Sequence, residues 1–185
     1  MIYAVEGADC VGKTTLADVF RRFEWGVYKL PTSHITQLPE YPENVSTLRY
    51  LLDHADVTVK ACMKDGVQLL DRCALSTYIY QECTPDEQRT ALLLANKCKY
   101  IFVLTPPSKD RLAYVRSLKD NKDWFETNHE LQARVYDDYY SKTGIVSRLT
   151  NAVVVHTHLD NGERRSAHDL FVEIVQRIVA AEGDT

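Results

Sequence analysis

The sequence lacks the cysteine spacings that build disulfide or metal frameworks. Its 185 residues include five cysteines, an odd number, and no two of them form a C-x-x-C pair. The five are Cys10, Cys62, Cys73, Cys83 and Cys98. Such a set argues against a disulfide scaffold or a zinc site and favours a reducing compartment. We therefore expect a cytoplasmic protein.

Long hydrophobic runs and an excess of positive charge are also missing. No apolar stretch approaches the length of about 20 residues that a membrane-spanning helix needs. Residues 1–12 already read as a strand and a glycine loop, so we do not expect a signal peptide there. The formal net charge is −4 and there is no basic block. We expect neither a membrane nor long nucleic acid as a partner.

Length and composition favour one globular domain over residues 1–185. Hydrophobic residues make up 45% of the chain and charged residues 26%, which is ordinary for a water-soluble fold. The chain is long enough for one well-buried domain and too short for two of usual size. It contains no internal repeat and no low-complexity linker.

The most informative stretch is residues 7–14, which read GADCVGKT and complete the pattern G-x-x-x-x-G-K-[ST]. An apolar run precedes this stretch and a segment with helical spacing follows it. Strand, glycine loop and helix form the context in which the pattern binds phosphate through inward backbone N–H groups and a helix dipole. A chance glycine turn is the alternative, but both flanks favour a nucleoside triphosphate site.

Each residue of this phosphate loop has an expected role. Gly7 and Gly12 allow the backbone to turn around the phosphates. Lys13 would reach the β- and γ-phosphates of ATP, and the hydroxyl of Thr14 would bind Mg²⁺. Thr15 completes the set of cofactor-binding residues.

Strands and helices alternate along the chain. Nearly continuous apolar runs are typical of strands buried on both faces of a parallel sheet. We expect such strands at residues 1–5, 27–30, 67–70, 100–104 and 152–155. The fold class is therefore α/β, a five-stranded parallel sheet with helices on both faces and right-handed crossovers.

Five helices are expected after the first one. A helix over residues 44–64 would bury one apolar side, which consists of Leu48, Leu51, Leu52, Ala55, Val59 and Met63. A capping box at residues 84–87 opens the next helix. The remaining helices are predicted to begin at residues 107–108, to span residues 126–140, and to begin at residues 166–169.

Asp71 and Arg72 form the second strong signal, because ligands of such sheets lie beyond the carboxyl ends of the strands. A carboxylate there would hold Mg²⁺ or orient the attacking oxygen, as in other phosphoryl-transfer sites. The planar guanidinium of Arg72 matches a phosphate bidentately. A surface ion pair at a strand end is the alternative interpretation.

A charged segment over about residues 114–126 could form a short lid. Lids in phosphoryl transfer bring cations to the migrating group and exclude water. Its cations are Arg116, Lys119 and Lys122, and Arg111 lies just before it. A solvated helix face of mixed charge is the alternative.

Residues 71–81 read DRCALSTYIYQ, which resembles the D-R-x-x-x-S-x-x-x-Y-Q signature of thymidylate kinases. Asp9 occupies the acidic position within the phosphate loop that is typical of that family. The resemblance extends over nearly the whole chain and is sharpest at residues 6–15 and 71–81. It implies a P-loop nucleoside monophosphate kinase that uses ATP and Mg²⁺.

The resemblance also implies roles for the substrate-binding residues. Asp9 would accept a hydrogen bond from the 3′-hydroxyl of the deoxyribose, and Arg72 would bind the 5′-phosphate of the acceptor. Asp71 would place the metal or the attacking oxygen, as Thr14 would serve the metal. Near the sugar and pyrimidine would lie Ser76, Thr77, Tyr80 and Gln81, with Tyr80 against C2′ of the sugar.

The sequence departs from the family at its arginines. Cys10 stands where the phosphate loop can carry an arginine, and Trp124 stands in place of the usual lid arginine. The lid must then supply the catalytic cation, for which we take Arg116, with Lys119 and Lys122 as alternatives. The arginine that reads thymine is also missing, and Arg49 and His54 are nearby candidates. Arg164 and Arg165 precede the last helix, where the family contacts adenine, or are plain surface charges.

The predicted reaction is dTMP + ATP → dTDP + ADP, a step of nucleotide biosynthesis. A same-fold kinase for a deoxynucleoside or a modified pyrimidine nucleotide is one alternative. An ATP-binding module without turnover is another. A GTPase is disfavoured because residues 96–99, NKCK, lack the aspartate that pairs with guanine. The partners are nucleotides, and since the family often dimerises, a homodimer is also expected.

Overall fold

A computed structural model describes residues 1–30, 46–119 and 127–183. Five parallel strands form one sheet in the order β2-β3-β1-β4-β5. The strands are β1 Ile2–Glu6, β2 Gly26–Lys29, β3 Gln68–Asp71, β4 Tyr100–Thr105 and β5 Ala152–His156. All five lie where the apolar runs predicted them, and the predicted α/β class and parallel sheet are confirmed.

Seven α-helices fall within the described ranges. They are α1 Lys13–Arg22, α2 Thr47–Cys62, α3 Ala74–Tyr80, α4 Pro85–Ala95, α5 Lys109–Ser117, α6 His129–Tyr140 and α7 Ala167–Gly183, with a 3₁₀ turn at Val146–Arg148. The predicted capping box opens α4: Thr84 accepts from the N–H of Glu87, whose carboxylate accepts from the N–H of Thr84. None of these helices is both long and apolar enough to cross a bilayer.

The sheet is most deeply buried at its centre. All five residues of β1 are buried, whereas the edge strands β2 and β5 are half-buried or partly exposed. The prediction that most strands are buried on both faces is confirmed for the inner strands, and the edge strands are less buried because each has a neighbour on one side only. The register pairs Val5 with Asp71 and Glu6 with Val103, which brings the ends of three strands together below the phosphate loop.

Helix α2 buries a different face from the one predicted. Of the expected apolar side, Leu51 is buried, but Leu48, Leu52, Val59 and Met63 are 55–80% exposed. The buried face instead carries Tyr50, His54, Val57, Thr58 and Ala61. The pattern of hydrophobic residues predicted the wrong buried face, because α2 packs beside a polar site and buries Tyr50 and His54 there.

Part of the predicted lid lies outside the described residues. The segment over about residues 114–126 is described only as far as residue 119. Residues 120–126, which include Lys122 and Trp124, are beyond the described range.

Candidate active site

Positive backbone φ angles shape the phosphate loop between β1 and α1. Gly7, Cys10 and Gly12 have φ of 135°, 66° and 105°. A Cβ on Gly7 would lie 2.8 Å from the carbonyl oxygen of Leu104, so this strand end admits only glycine. The conformation turns backbone N–H groups toward one side, which is the geometry expected for a phosphate cradle.

Tyr140 fastens the phosphate loop to the sheet. Its hydroxyl accepts a hydrogen bond of 2.9 Å from the N–H of Ala8 and donates one of 2.9 Å to the carbonyl of Leu104. Helix α6 thus holds the loop from behind. Burial raises the pKa of Tyr140 above its usual value, although the hydrogen bond from the N–H of Ala8 acts in the opposite direction.

Lys13 is buried beneath the loop, with only 6% of its surface exposed. Its Nζ donates to the carbonyl oxygens of Gly7 at 2.8 Å and Ala8 at 2.6 Å. Burial and the nearby charge of Arg72 lower the pKa of Lys13 to about 7. A bound anion would raise the pKa of Lys13 again and so favour the charged ammonium form.

Glu6, at the end of β1, is a fully buried carboxylate that organises the floor of the site. It accepts hydrogen bonds from the N–H of Cys73 at 2.8 Å, the hydroxyl of Ser76 at 2.8 Å and the hydroxyl of Tyr139 at 2.7 Å. Three donors compensate the cost of burying the charge. The arrangement ties β1 to the start of α3 and to α6.

Arg72 lies at the centre of the site in a left-handed conformation, with φ of 72°. Its guanidinium donates to Ser76 Oγ at 3.0 Å, forms an ion pair with Asp9, and lies 5.1 Å above the ring of Tyr80. A second carboxylate, Glu6, is 3.9 Å away. A non-glycine residue in this conformation is uncommon and concentrates at functional sites.

Charges around Asp9 keep it ionised. Burial by itself raises the pKa of Asp9, but the cations Arg72 and Lys13, a hydrogen bond from Tyr80 and the charge of Arg116 together lower it below its usual value. Asp9 is therefore an available hydrogen-bond acceptor at neutral pH. In turn, although burial opposes it, the surrounding groups, with Tyr80 and Asp9 foremost, raise the pKa of Arg72.

Oxygen donors for a metal ion face the same cavity. Asp71 is 3% exposed, and its Oδ2 makes no hydrogen bond within the part of the chain that is described. Thr14 lines the cavity with an exposed side chain. No cluster of three or more His, Cys, Asp or Glu side chains occurs in the described ranges. One carboxylate and one hydroxyl fit Mg²⁺, which completes its shell with water and substrate phosphates.

A cavity of about 620 Å³ opens between the phosphate loop and helices α2 and α3. This volume is in the range that holds a small ligand. The predicted site residues on its wall are Asp9, Gly12, Lys13, Thr14, Thr15, Asp71, Arg72, Ser76, Thr77, Tyr80 and Gln81. The structure therefore brings residues of the two sequence motifs onto one surface.

The two ends of the cavity differ in charge. The phosphate-loop end carries Lys13 and Arg72. The opposite wall is lined by uncharged residues: Tyr50 from α2, Thr77 from α3, and Gln81 at the end of α3. Thr77 is 3% exposed, and its Oγ1 has no hydrogen-bond partner among the residues described. A buried hydroxyl without a partner is costly unless a ligand satisfies it. This end can therefore bind an uncharged polar ring.

The predicted lid cations take different positions. Lys119 lines the cavity. Arg116 is half-buried and does not form the cavity wall, although its charge helps to lower the pKa of Asp9. Arg164, from the loop between β5 and α7, lines the cavity next to the phosphate loop.

Several residues of the site were not predicted from sequence. Glu6, Tyr139 and Tyr140 position the loop and Arg72, and Tyr50 of α2 lines the cavity. His54, which the sequence offered as a candidate to read the base, is buried on the same helix, where burial and the charge of Arg72 lower its pKa. The adjacent Tyr139 and Tyr140 gave a visible signal but read as helix packing. For Glu6 the only signal was a carboxylate inside an apolar strand, which requires partners that the tertiary structure supplies.

Parallel strand order, phosphate loop and crossover helices together define the P-loop kinase fold. The sequence itself matches no family model and no curated protein. Solved structures resemble the chain over its whole length. The deoxyadenosine kinase from M. mycoides, solved with dCMP and dCDP, superposes with a TM-score of 0.66 at 13% identity, over 97% of this chain and 100% of that one.

Two further structures show the same likeness. The thymidylate kinase from Candida albicans has a TM-score of 0.65 at 15% identity, covering 98% of this chain and 92% of its own. The YorR protein from Bacillus subtilis, in complex with phosphorylated GDP, has a TM-score of 0.61 at 14% identity, covering 100% and 99%. Likeness at this level of identity establishes the fold.

Proposed function

We propose that this protein is an ATP-dependent nucleoside monophosphate kinase. Its favoured reaction transfers the γ-phosphoryl group of ATP to the 5′-phosphate of a deoxypyrimidine monophosphate, most simply dTMP. The observation that carries the proposal is the cluster of Asp9, Arg72 and Tyr80 beside the phosphate loop. Asp9 would accept a hydrogen bond from a hydroxyl and Arg72 would bind a phosphate, and both line one cavity with the glycine loop that would hold a triphosphate.

Catalysis in such a site consists of positioning and charge stabilisation, because the loose transition state needs little covalent assistance. Lys13 would bind the β- and γ-phosphates of the donor, and Arg72 would bind the phosphate of the acceptor. The two cations would hold two anions close enough to react. Mg²⁺, held by Thr14 and Asp71, would neutralise charge on the phosphates, and Arg116 or Lys119 would add a lid cation.

The acceptor nucleoside would extend from Arg72 toward the uncharged end of the cavity. Asp9 would accept a hydrogen bond from the 3′-hydroxyl of the sugar. The ring of Tyr80, held under Arg72, would leave little space at C2′ and disfavour a ribose. Thr77 and Gln81 would hydrogen-bond the base, while Ser76 mainly fixes Arg72 because Glu6 already accepts its hydroxyl hydrogen.

A second candidate is a kinase of the same fold with another acceptor. Among the described residues, Lys29 from the end of β2 lines the cavity, and the wall beside α2 and α3 offers Tyr50, Thr77 and Gln81 to a base. Neutral groups of this kind can accept a deoxynucleoside or a modified pyrimidine nucleotide as readily as dTMP. The fold is compatible with several such substrates, since fold alone does not determine function.

ADP release with ATP and Mg²⁺ tests the proposal across deoxynucleosides and all deoxy- and ribonucleoside monophosphates. Preference for dTMP supports the favoured reaction, and preference for a deoxynucleoside supports the second candidate. Lys13→Ala is the matched negative variant, and Lys142→Ala, an exposed lysine far along the chain, is the control. ATP binding without release on any acceptor would contradict the kinase proposal and favour a binding module.

We also propose that the exposed apolar side of α2 joins two copies of the chain as a homodimer. Leu48, Leu52, Ala55 and Val59 are spaced by four, three and four residues, the pattern of a helix–helix seam. The neighbouring charges are neutralised within the helix, where Arg49 pairs with Asp53. Light scattering of Leu52→Asp against the parent protein tests this assembly, and an unchanged mass would contradict it.

A further inference from the structure

The loop between β5 and α7 brings Arg164 against the phosphate loop. Its Nη2 lies 3.2 Å from the point that a Cβ on Gly12 would occupy. A Cβ at this position would require the guanidinium to shift by a few tenths of an ångström, so the two groups are in close contact. Arg164 also forms part of the wall of the main cavity and of a smaller recess beside it.

Backbone hydrogen bonds hold this loop in a defined shape. His158 and Arg164 form an antiparallel bridge, the N–H of Leu159 donates to Glu163 at 2.8 Å, and the N–H of Arg165 donates to Thr157 at 2.9 Å. The position of Arg164 over the phosphate loop is therefore set by a hairpin-like turn. Because the backbone of the turn is already ordered, only the side chain of Arg164 loses conformational freedom when it binds a ligand.

The adjacent Arg165 behaves differently. Its guanidinium forms an ion pair of 2.6 Å with Glu173 and donates to the carbonyl of His156 at 3.1 Å. It therefore ties the turn to helix α7. Arg165 therefore has a structural role, whereas Arg164 lines the cavity. Substituting each arginine in turn gives a matched comparison.

At the phosphate-loop end of the cavity, the side chain of Arg164 differs from the other cations in having no protein partner among the described residues. Lys13 donates to two carbonyl oxygens, and Arg72 pairs with Asp9. Arg164 forms no hydrogen bond or ion pair with any residue in the described ranges. Burial, together with the charges of Arg111 and Arg164, lowers the pKa of His158.

We propose that Arg164 binds the α- and β-phosphates of the donor nucleotide. Gly12 belongs to the part of the loop whose N–H groups cradle these phosphates, and the guanidinium fork would reach the same oxygens from the solvent side. Arg164 thereby supplies the positive charge that Cys10 does not provide within the loop. The inference rests on the proposed donor site and is independent of the acceptor.

Binding measurements by calorimetry distinguish a phosphate contact from a contact with the base. The probes are ATP, ADP and inorganic tripolyphosphate, which carries no base. The variants are Arg164→Ala and Arg164→Lys, with Arg165→Ala as the adjacent comparison and the exposed Arg89→Ala as the control. Circular dichroism of each variant confirms that it is folded.

We expect Arg164→Ala to weaken ATP and tripolyphosphate binding alike, by about 10-fold or more, the scale of a lost charge-assisted hydrogen bond. Arg164→Lys should recover part of that loss. Arg165→Ala should lower the melting temperature with little effect on phosphate affinity. Loss of ATP affinity with unchanged tripolyphosphate affinity would overturn the proposal in favour of a base contact, and unchanged affinity for both would overturn it outright.

The outcome is separable from that of the proposed function. If no acceptor is phosphorylated but Arg164→Ala still loses tripolyphosphate affinity, the kinase proposal fails and the role of Arg164 stands. If an acceptor is phosphorylated and Arg164→Ala binds ATP and tripolyphosphate normally, the kinase proposal stands and the proposed role of Arg164 fails. A parent protein that binds neither ATP nor tripolyphosphate contradicts both.

Discussion

The hydroxyl of Tyr139 donates a hydrogen bond of 2.7 Å to the buried carboxylate of Glu6, across 133 positions of the chain. The same carboxylate accepts from Ser76, which accepts in turn from Arg72. Helix α6 is therefore linked through Glu6 and Ser76 to Arg72, the residue that we propose binds the acceptor phosphate. A buried charge that loses a donor becomes unstable, so this relationship is open to measurement.

Tyr139→Phe should lower the free energy of unfolding by about 1–3 kcal/mol, the usual cost of leaving a buried acceptor short of a partner. It should also weaken the acceptor more than the donor nucleotide, because Arg72 loses its support. Urea denaturation and KM values for both substrates measure these effects. Tyr136→Phe, on the same helix, is the control, and equal effects of the two variants would exclude a special role for Tyr139.

Binding of the donor should be coupled to proton uptake by Lys13. Its pKa of about 7 in the free protein leaves the amine largely neutral at about pH 8, and a bound polyphosphate would raise that pKa by supplying negative charge. We expect uptake of up to about 0.9 proton per site at this pH. Calorimetry of ADP binding in buffers of different ionisation enthalpy measures it. The result requires that Lys13→Met abolish the coupling, and uptake that survives this substitution would assign the proton to another group.

His54 should make the protein sensitive to mild acid. Burial and the charge of Arg72 lower the pKa of His54 to about 3, so the folded protein keeps it neutral while the unfolded chain takes up a proton near its ordinary value. The stability is therefore complete above the unfolded pKa and falls as the pH decreases toward the folded one. Between about pH 7 and about pH 5 the loss from this residue is about 2 kcal/mol.

His54→Gln removes that contribution, since glutamine does not titrate. Denaturation curves of the parent and the variant at the two pH values isolate it from the common effect of the carboxylates. His129→Gln, at the start of α6, is the control for substitution of a histidine elsewhere. Parallel losses in the parent and His54→Gln would show that the buried histidine is not responsible.

Arg72→Ala should raise the KM of the acceptor by about 100-fold and change donor affinity by much less, as expected for a lost bidentate phosphate contact. Arg72→Lys should restore only a part, because an ammonium lacks the planar fork. Initial rates with each substrate varied in turn measure both constants. Equal losses for donor and acceptor would contradict the assignment of Arg72 to the acceptor phosphate.

Local signals in the sequence predicted the strands and the capping box correctly. A strand run, a glycine loop and a capping box are each encoded within about ten residues, so neighbouring positions suffice to recognise them. The side of α2 that is buried was predicted wrongly. Which side of α2 is buried depends on the elements that pack against it. Tyr50 and His54 are buried toward the site, whereas Leu48 and Leu52 are exposed.

The supporting network could not be predicted for the same reason. Glu6 directly precedes the phosphate loop, but nothing in the local sequence shows that Ser76 of α3 and Tyr139 of α6 are its partners. By itself, the sequence determined the α/β fold and the presence of a glycine loop between β1 and α1, because periodicity and glycine placement are local properties. Only the tertiary structure decided which charged side chains pair with one another and which have no partner among the described residues, because pairing depends on distances between residues that are far apart in the chain.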